Sequence, residues 1–230
     1  MLESHPVSET NILILASNSP RRKQLLSLGC WTFNIAVANV DESQNPGEDP
    51  GEYVLRLAES KAHKSAQNVP TESIVIAADT SVVDAGDILG KPVDEEDATR
   101  MLKRLRGHTH QVYTGLALLR VSDNYIQTDL SVTDVPMRDY SNEEIDAYVQ
   151  TGDPLDKAGA YAIQHQGFNP VEKMKGCYAS VMGLQLCRLT YLLDQLDITP
   201  NSEVGIKCQA ELRYDCPISS AILRGEVINQ

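Results

Sequence analysis

The stretch Ile74-Val-Ile-Ala-Ala-Asp-Thr-Ser-Val-Val83 decides how the rest of the chain is read. Five apolar residues run into Asp79 and Thr80, and the apolar character then resumes. A short apolar run with β-branched residues reads as a strand buried on both faces, the pattern of a parallel sheet. A bare carboxylate at the end of such a strand is costly to bury unless a positive group meets it. Asp79 is therefore the first candidate for chemistry. The bland alternative is a turn aspartate capping the next element, and the choice rests on whether the chain supplies partners.

Toward the N-terminus, Asn11-Ile-Leu-Ile-Leu-Ala16 is a second apolar run and the expected first core strand. In the following segment Ser19 suits an N-cap, Pro20 the first helical position and Gly29 a left-handed terminus after Leu25, Leu26 and Leu28. Arg21 and Arg22 fall in the first turn, where they oppose the helix dipole. With Ser17 and Ser19 they would receive an anion there; the ordinary alternative is a capped helix with solvated arginines. Trp31 to Val37 reads as a strand leading to Val40-Asp-Glu42, adjacent acids that either hold Mg²⁺ or Mn²⁺ or form a solvated loop. Glu52 to about Gln67 is predicted helical, with Lys61 beside its apolar stripe, either snorkelling or pointing into a cleft.

Toward the C-terminus, Asp84-Ala-Gly-Asp87 predicts a hairpin that returns Lys91 toward Asp79. Asp94 to Arg106 is a helix whose charges obey the dipole rule, ended by Gly107. His108 and His110 form only an H-x-H, read as surface histidines. Val112–Val121 and Ile126–Val135 suit an antiparallel pair, and Ser141-Asn-Glu-Glu144 a capping box. Asp156 and Lys157 are either a surface ion pair or a carboxylate and a phosphate-binding cation in the same cleft. Gln164 is of the type that reads a base edge. Leucines from 184 to 196 predict one packing helix beginning at Gly183. Residues 197–230 read as an appendage, with disorder left open.

The net charge of −12 over 230 residues argues against coating nucleic acid. No apolar run approaches the roughly 18 residues of a bilayer span. The first ten residues lack the marks of a signal peptide. Five cysteines without C-x-x-C spacing indicate neither a disulfide framework nor a zinc site. A cytoplasmic location without membrane partners is expected. Together the cations and acids form the inventory for a polyphosphate ligand with a divalent ion. No Walker motif, serine elbow or kinase set is present.

Leu15-Ala-Ser-Asn-Ser-Pro-Arg-Arg22, Asp41-Glu42, Ala58-Glu-Ser-Lys-Ala62, Ala78-Asp-Thr80, Gly90-Lys-Pro92, Gly107-His-Thr-His-Gln-Val-Tyr-Thr-Gly115 and Asp156-Lys-Ala-Gly-Ala-Tyr-Ala-Ile-Gln164 resemble the Maf family of nucleoside triphosphate pyrophosphatases. The resemblance covers about residues 11 to 196, leaving an N-terminal extension, 1–10, and the C-terminal appendage. It implies an α/β fold, an elongated mixed twisted sheet flanked by helices with a cleft between two lobes, shared with ITPases. It implies hydrolysis of a nucleoside triphosphate between the α and β phosphates, a divalent cation (Mg²⁺ or Mn²⁺), a house-cleaning role and a homodimer. Asp79 resembles the family's proton acceptor. Ser17, Arg22, Glu42, Lys61 and Lys91 match positions that bind phosphate and metal, with Glu42 and Asp79 as the metal ligands. Arg21, Thr80 and Gln164 match the trio of the dTTP/UTP branch. A 7-methyl-GTP preference and a non-catalytic regulator of septum formation are the alternatives. His165-Gln166, the loop from Phe168 to Tyr178, and Gln185 in place of a usual proline depart from the family's common form.

Overall fold

In the first half of the chain strands and helices alternate, and the computed structural model, which describes residues 11–226, builds them into a mixed sheet. The expected extension at 1–10 lies outside the described residues. Strand β1 (Ile12–Leu15), helix α1 (Pro20–Ser27), β2 (Phe33–Ile35), α2 (Pro50–Ala66) and β3 (Ser73–Asp84) come first. β2 and β3 flank β1 in parallel, as strands joined through helices must. β3 then turns into β4 (Asp87–Leu89) through Ala85 and Gly86, both at positive φ (51° and 87°), the backbone of a tight two-residue hairpin. After α3 (Glu95–Leu105), the antiparallel strands β5 (Thr109–Arg120) and β6 (Tyr125–Pro136) complete the order β2-β1-β3-β5-β6, with β4 on β3. β3 thus joins a parallel half to an antiparallel half.

The period of two along β3 divides the core. Ile74, Ile76, Ala78 and Val82 join the larger cluster, which also contains Leu25, Leu102, Leu116 and Leu189. Val75 and Ala77 face the other way, onto Ala58 and Ala62 of α2. The remaining α-helices are α4 (Asn142–Val149), α5 (Tyr178–Met182), α6 (Leu186–Asp194), α7 (Val204–Leu212) and α8 (Ser219–Leu223), with short 3₁₀ turns at Asp153–Asp156 and Ala158–Ala160. Among the described residues no helix is long and apolar enough to cross a membrane.

Four expectations about the elements need correction. Asp79 lies within β3 and not at its end, because pairing with β5 carries the strand on to Asp84. The left-handed residue after α1 is Cys30 (φ 54°); Gly29 is small because a Cβ there would meet the Trp31 ring at 1.9 Å. The leucine-rich stretch is not one helix from Gly183, since that glycine (φ 115°) caps α5 and α6 begins at Leu186. The appendage is folded as far as residue 226: Val204, Cys208 and Ile222 are buried, and the Trp31 indole donates to Thr199 O at 3.1 Å.

Candidate active site

Pairing between β1 and β3 stops at Leu15–Ile76, and pairing between β4 and β3 starts at Val82–Leu89. Because β5 occupies the opposite side, residues 77–81 of β3 have no strand partner on the β1 side among the described residues. The walls part there, and a cleft of about 680 Å³ opens, a size suited to a small-molecule ligand.

Neighbouring side chains on a strand leave by opposite faces, so Asp79 turns toward α2 and Thr80 toward α1 and α5. On the α2 side, Lys61 Nζ lies 2.6 Å from Asp79 Oδ1 and 2.6 Å from Glu42 Oε1. One ammonium thus bridges two carboxylates, and Asp79 is only 8% exposed. The bridge depends on Gly115, Asp79's partner in β5. A Cβ at Gly115 would come within 2.5 Å of Val54 O, so only glycine lets α2 sit this close. The Tyr53 hydroxyl donates to Glu42 O at 2.8 Å and holds that loop. Burial raises the Glu42 pKa, but Lys61, with Lys91 and Arg22 beyond it, outweighs burial and leaves the carboxyl below its ordinary value.

On the other face, Arg22 Nε donates to Gly183 O (2.8 Å), Nη1 to Ser17 Oγ (3.3 Å) and Nη2 to Thr80 Oγ1 (3.4 Å). All three acceptors are neutral. Desolvation lowers the Arg22 pKa despite the field of Asp79, so this half-buried guanidinium is a ready receptor for an anion. The serine at position 19 caps α1 by accepting from Arg22 N, which fixes the arginine at the cleft.

Arg21, Lys91 and Gln164 also line the cleft, as do Asp156 and Lys157. Lys157 is buried, not a surface residue. Its ammonium meets Asp153 O (2.5 Å), Asp153 Oδ1 (3.0 Å) and Asp156 Oδ1 (2.6 Å), so a phosphate would have to displace one of these acceptors. His108 bonds Asp84 at 2.8 Å. His110 corrects the surface reading: it lies inside β5, 2% exposed, with Nε2 2.8 Å from the Tyr161 hydroxyl, and burial pushes its pKa down to about 4. Tyr53 and the Gly183 carbonyl were not legible as site features. Tyr53 stands about two turns from Lys61 on one helix, the only hint available; the carbonyl left no signal.

Among the described residues no group of three or more His, Cys, Asp or Glu side chains could hold a metal ion. Glu42 and Asp79 nevertheless both reach the Lys61 ammonium, and two carboxylates brought this close suit a hard cation that completes its shell with phosphate oxygens and water.

The Maf-like protein family model matches residues 12–196. A dTTP/UTP pyrophosphatase of Hahella chejuensis is 46% identical over 189 residues, 81% of this chain and 92% of that protein. The dTTP/UTP pyrophosphatase of Dictyoglomus thermophilum is 45% identical over 186 residues, 80% of this chain and 95% of its own length. Among solved structures, a HAM1 protein from Coxiella burnetii superposes with a TM-score of 0.50 at 15% identity, covering 80% of this chain and 99% of its own. That likeness concerns the fold.

Proposed function

This chain belongs to the Maf-like protein family, and from that premise we propose that it is a nucleoside triphosphate pyrophosphatase acting on dTTP and UTP. The activity is the one named for relatives about 45% identical over most of the chain. One observation carries the reading to the residues. The Lys61-bridged pair of Asp79 and Glu42 stands on one face of β3, and Arg22, without a carboxylate partner among the described residues, stands on the other.

Arg22 and Lys91 neutralise the triphosphate chain, with Arg21 at the same helix start, and the Ser17 hydroxyl hydrogen-bonds it. Lys61 holds one oxygen of Asp79 and leaves the other to accept a proton from water. As that water's oxygen bonds to the α-phosphorus, the bond from the α-phosphorus to the oxygen bridging it to the β-phosphate breaks, and nucleoside monophosphate and pyrophosphate leave. A divalent cation held by Glu42 and Asp79 would supply Lewis-acid stabilisation of the developing charge. Arg21, Thr80 and Gln164, the trio of the dTTP/UTP branch, all line the cleft and support the pyrimidine reading.

The test is a panel of dTTP, UTP, CTP, GTP and 7-methyl-GTP with Mg²⁺ or Mn²⁺, with pyrophosphate and monophosphate identified as products. Turnover led by dTTP and UTP is expected. No pyrophosphate from any of them would overturn the proposal. In Asp79→Asn, turnover should fall by at least about 10²–10⁴-fold, the usual scale of general-base assistance, while triphosphate binding persists. Unchanged turnover would remove Asp79 from the role of base.

A further inference from the structure

Thr114 does not itself line the cleft, yet its hydroxyl decides what Thr80 can offer there. It is fully buried and stands opposite Thr80 in the β3–β5 register. Its Oγ1 lies 2.9 Å from Ser180 O and 3.1 Å from Thr80 Oγ1. A carbonyl oxygen only accepts, and a hydroxyl carries a single proton. Two oxygens at 2.9 Å with no proton between them repel, so the Thr114 proton points to Ser180 O. Toward Thr80, then, Thr114 presents a lone pair, and the Thr80 hydroxyl is the donor. Having given up its proton, Thr80 Oγ1 receives Arg22 Nη2 at 3.4 Å and retains only acceptor capacity on the cleft side. The frame behind it is fixed: Gly183 N also donates to Ser180 O at 2.8 Å, and the buried Gln185 amide donates to Thr114 O.

We propose that Thr114 is a positioning residue that makes Thr80 an obligate hydrogen-bond acceptor, so that the cleft selects a pyrimidine whose edge presents a ring N–H. Uracil and thymine carry that imide donor; cytosine has an acceptor at the same ring nitrogen. The inference rests on the pyrophosphatase reading for its substrates, and it gives a role to Gln185, one of this chain's departures from the family form.

The experiment compares UTP with CTP, which have nearly the same shape, by kcat/KM and by equilibrium binding, in the unmodified protein, Thr114→Val and Thr114→Ser. The unmodified protein should favour UTP by about ten- to a hundredfold, the scale expected when a polar group is left facing the wrong partner. Thr114→Val frees the Thr80 hydroxyl to donate or accept, and the UTP-to-CTP ratio should fall about tenfold. Thr114→Ser, which retains the hydroxyl, should keep the original ratio. Equal loss for both nucleotides in Thr114→Val, or a ratio near one in the unmodified protein, would overturn the proposal. If Thr114→Val does not fold, loss of the ratio in Thr114→Ser overturns it. If no triphosphate is hydrolysed, the pyrophosphatase reading fails by itself, and the binding ratio still decides this one.

Discussion

Asp79 and Thr80 are adjacent in sequence and face opposite sides of one strand. Asp79 meets Lys61 across the α2 face, and Thr80 meets Arg22 and Thr114 across the other. The separate roles proposed for them follow from strand alternation, since among the described residues no strand covers residues 77–81 on the β1 side. The charged partners were legible in the sequence, because Arg21 and Arg22 at a helix start and Lys61 beside an apolar stripe are out of place for stability alone. His110 was not. The H-x-H motif hides that His110 shares parity with Val112, Thr114 and Leu116, which puts it on the core face. Its folded pKa of about 4 lies below the ordinary 6.5, so the unfolded chain binds the extra proton between these values and stability falls as pH drops. In His110→Gln that contribution is absent. Between pH 7 and pH 5 the unmodified protein should lose about 2 kcal/mol more than the variant, measured by urea unfolding at both pH values. Equal losses would show that the imidazole does not titrate differently in the two states.

At the scale of elements, the active geometry depends on how closely α2 approaches β5. Gly115 permits that approach and stands directly opposite Asp79. Gly115→Ala should cost about 1–3 kcal/mol through overpacking and carry Lys61 away from Asp79. Its kinetic mark should be a lower kcat with triphosphate affinity largely kept, since Arg22 is on the other face. A variant with unchanged kcat would contradict the account. Strands and capped helices were legible because their signals are local: Ser141 and Glu144 form the expected capping box, and Asp94 caps α3. The break at Gly183 was not, because leucine periodicity continues across it while the backbone turns to present its carbonyl to Arg22. The extent of β3 depends on pairing with β5, which no local pattern encodes.

At the scale of the molecule, the mixed sheet with a cleft at its parallel–antiparallel junction matches the expected architecture, but the C-terminal segment does more than the sequence implied. Its helices, Val204–Leu212 and Ser219–Leu223, are too short for a helical period to show, so no periodicity announces α7 and α8. The seam is nevertheless real, with Val204, Cys208 and Ile222 buried. Truncation after Leu196 should lower stability by about 3–5 kcal/mol, summed from a few buried side chains, and lower the Tm, while the UTP-to-CTP ratio stays as in the full chain. An unchanged Tm would mean the segment contributes nothing to the fold. The central claim is attack of water on the α-phosphorus within this cleft. Hydrolysis of UTP in heavy-oxygen-labelled water, with products separated by mass, tests it most directly. The expected result is UMP bearing the label and unlabelled pyrophosphate; UDP with labelled inorganic phosphate, or label in the pyrophosphate, would contradict it.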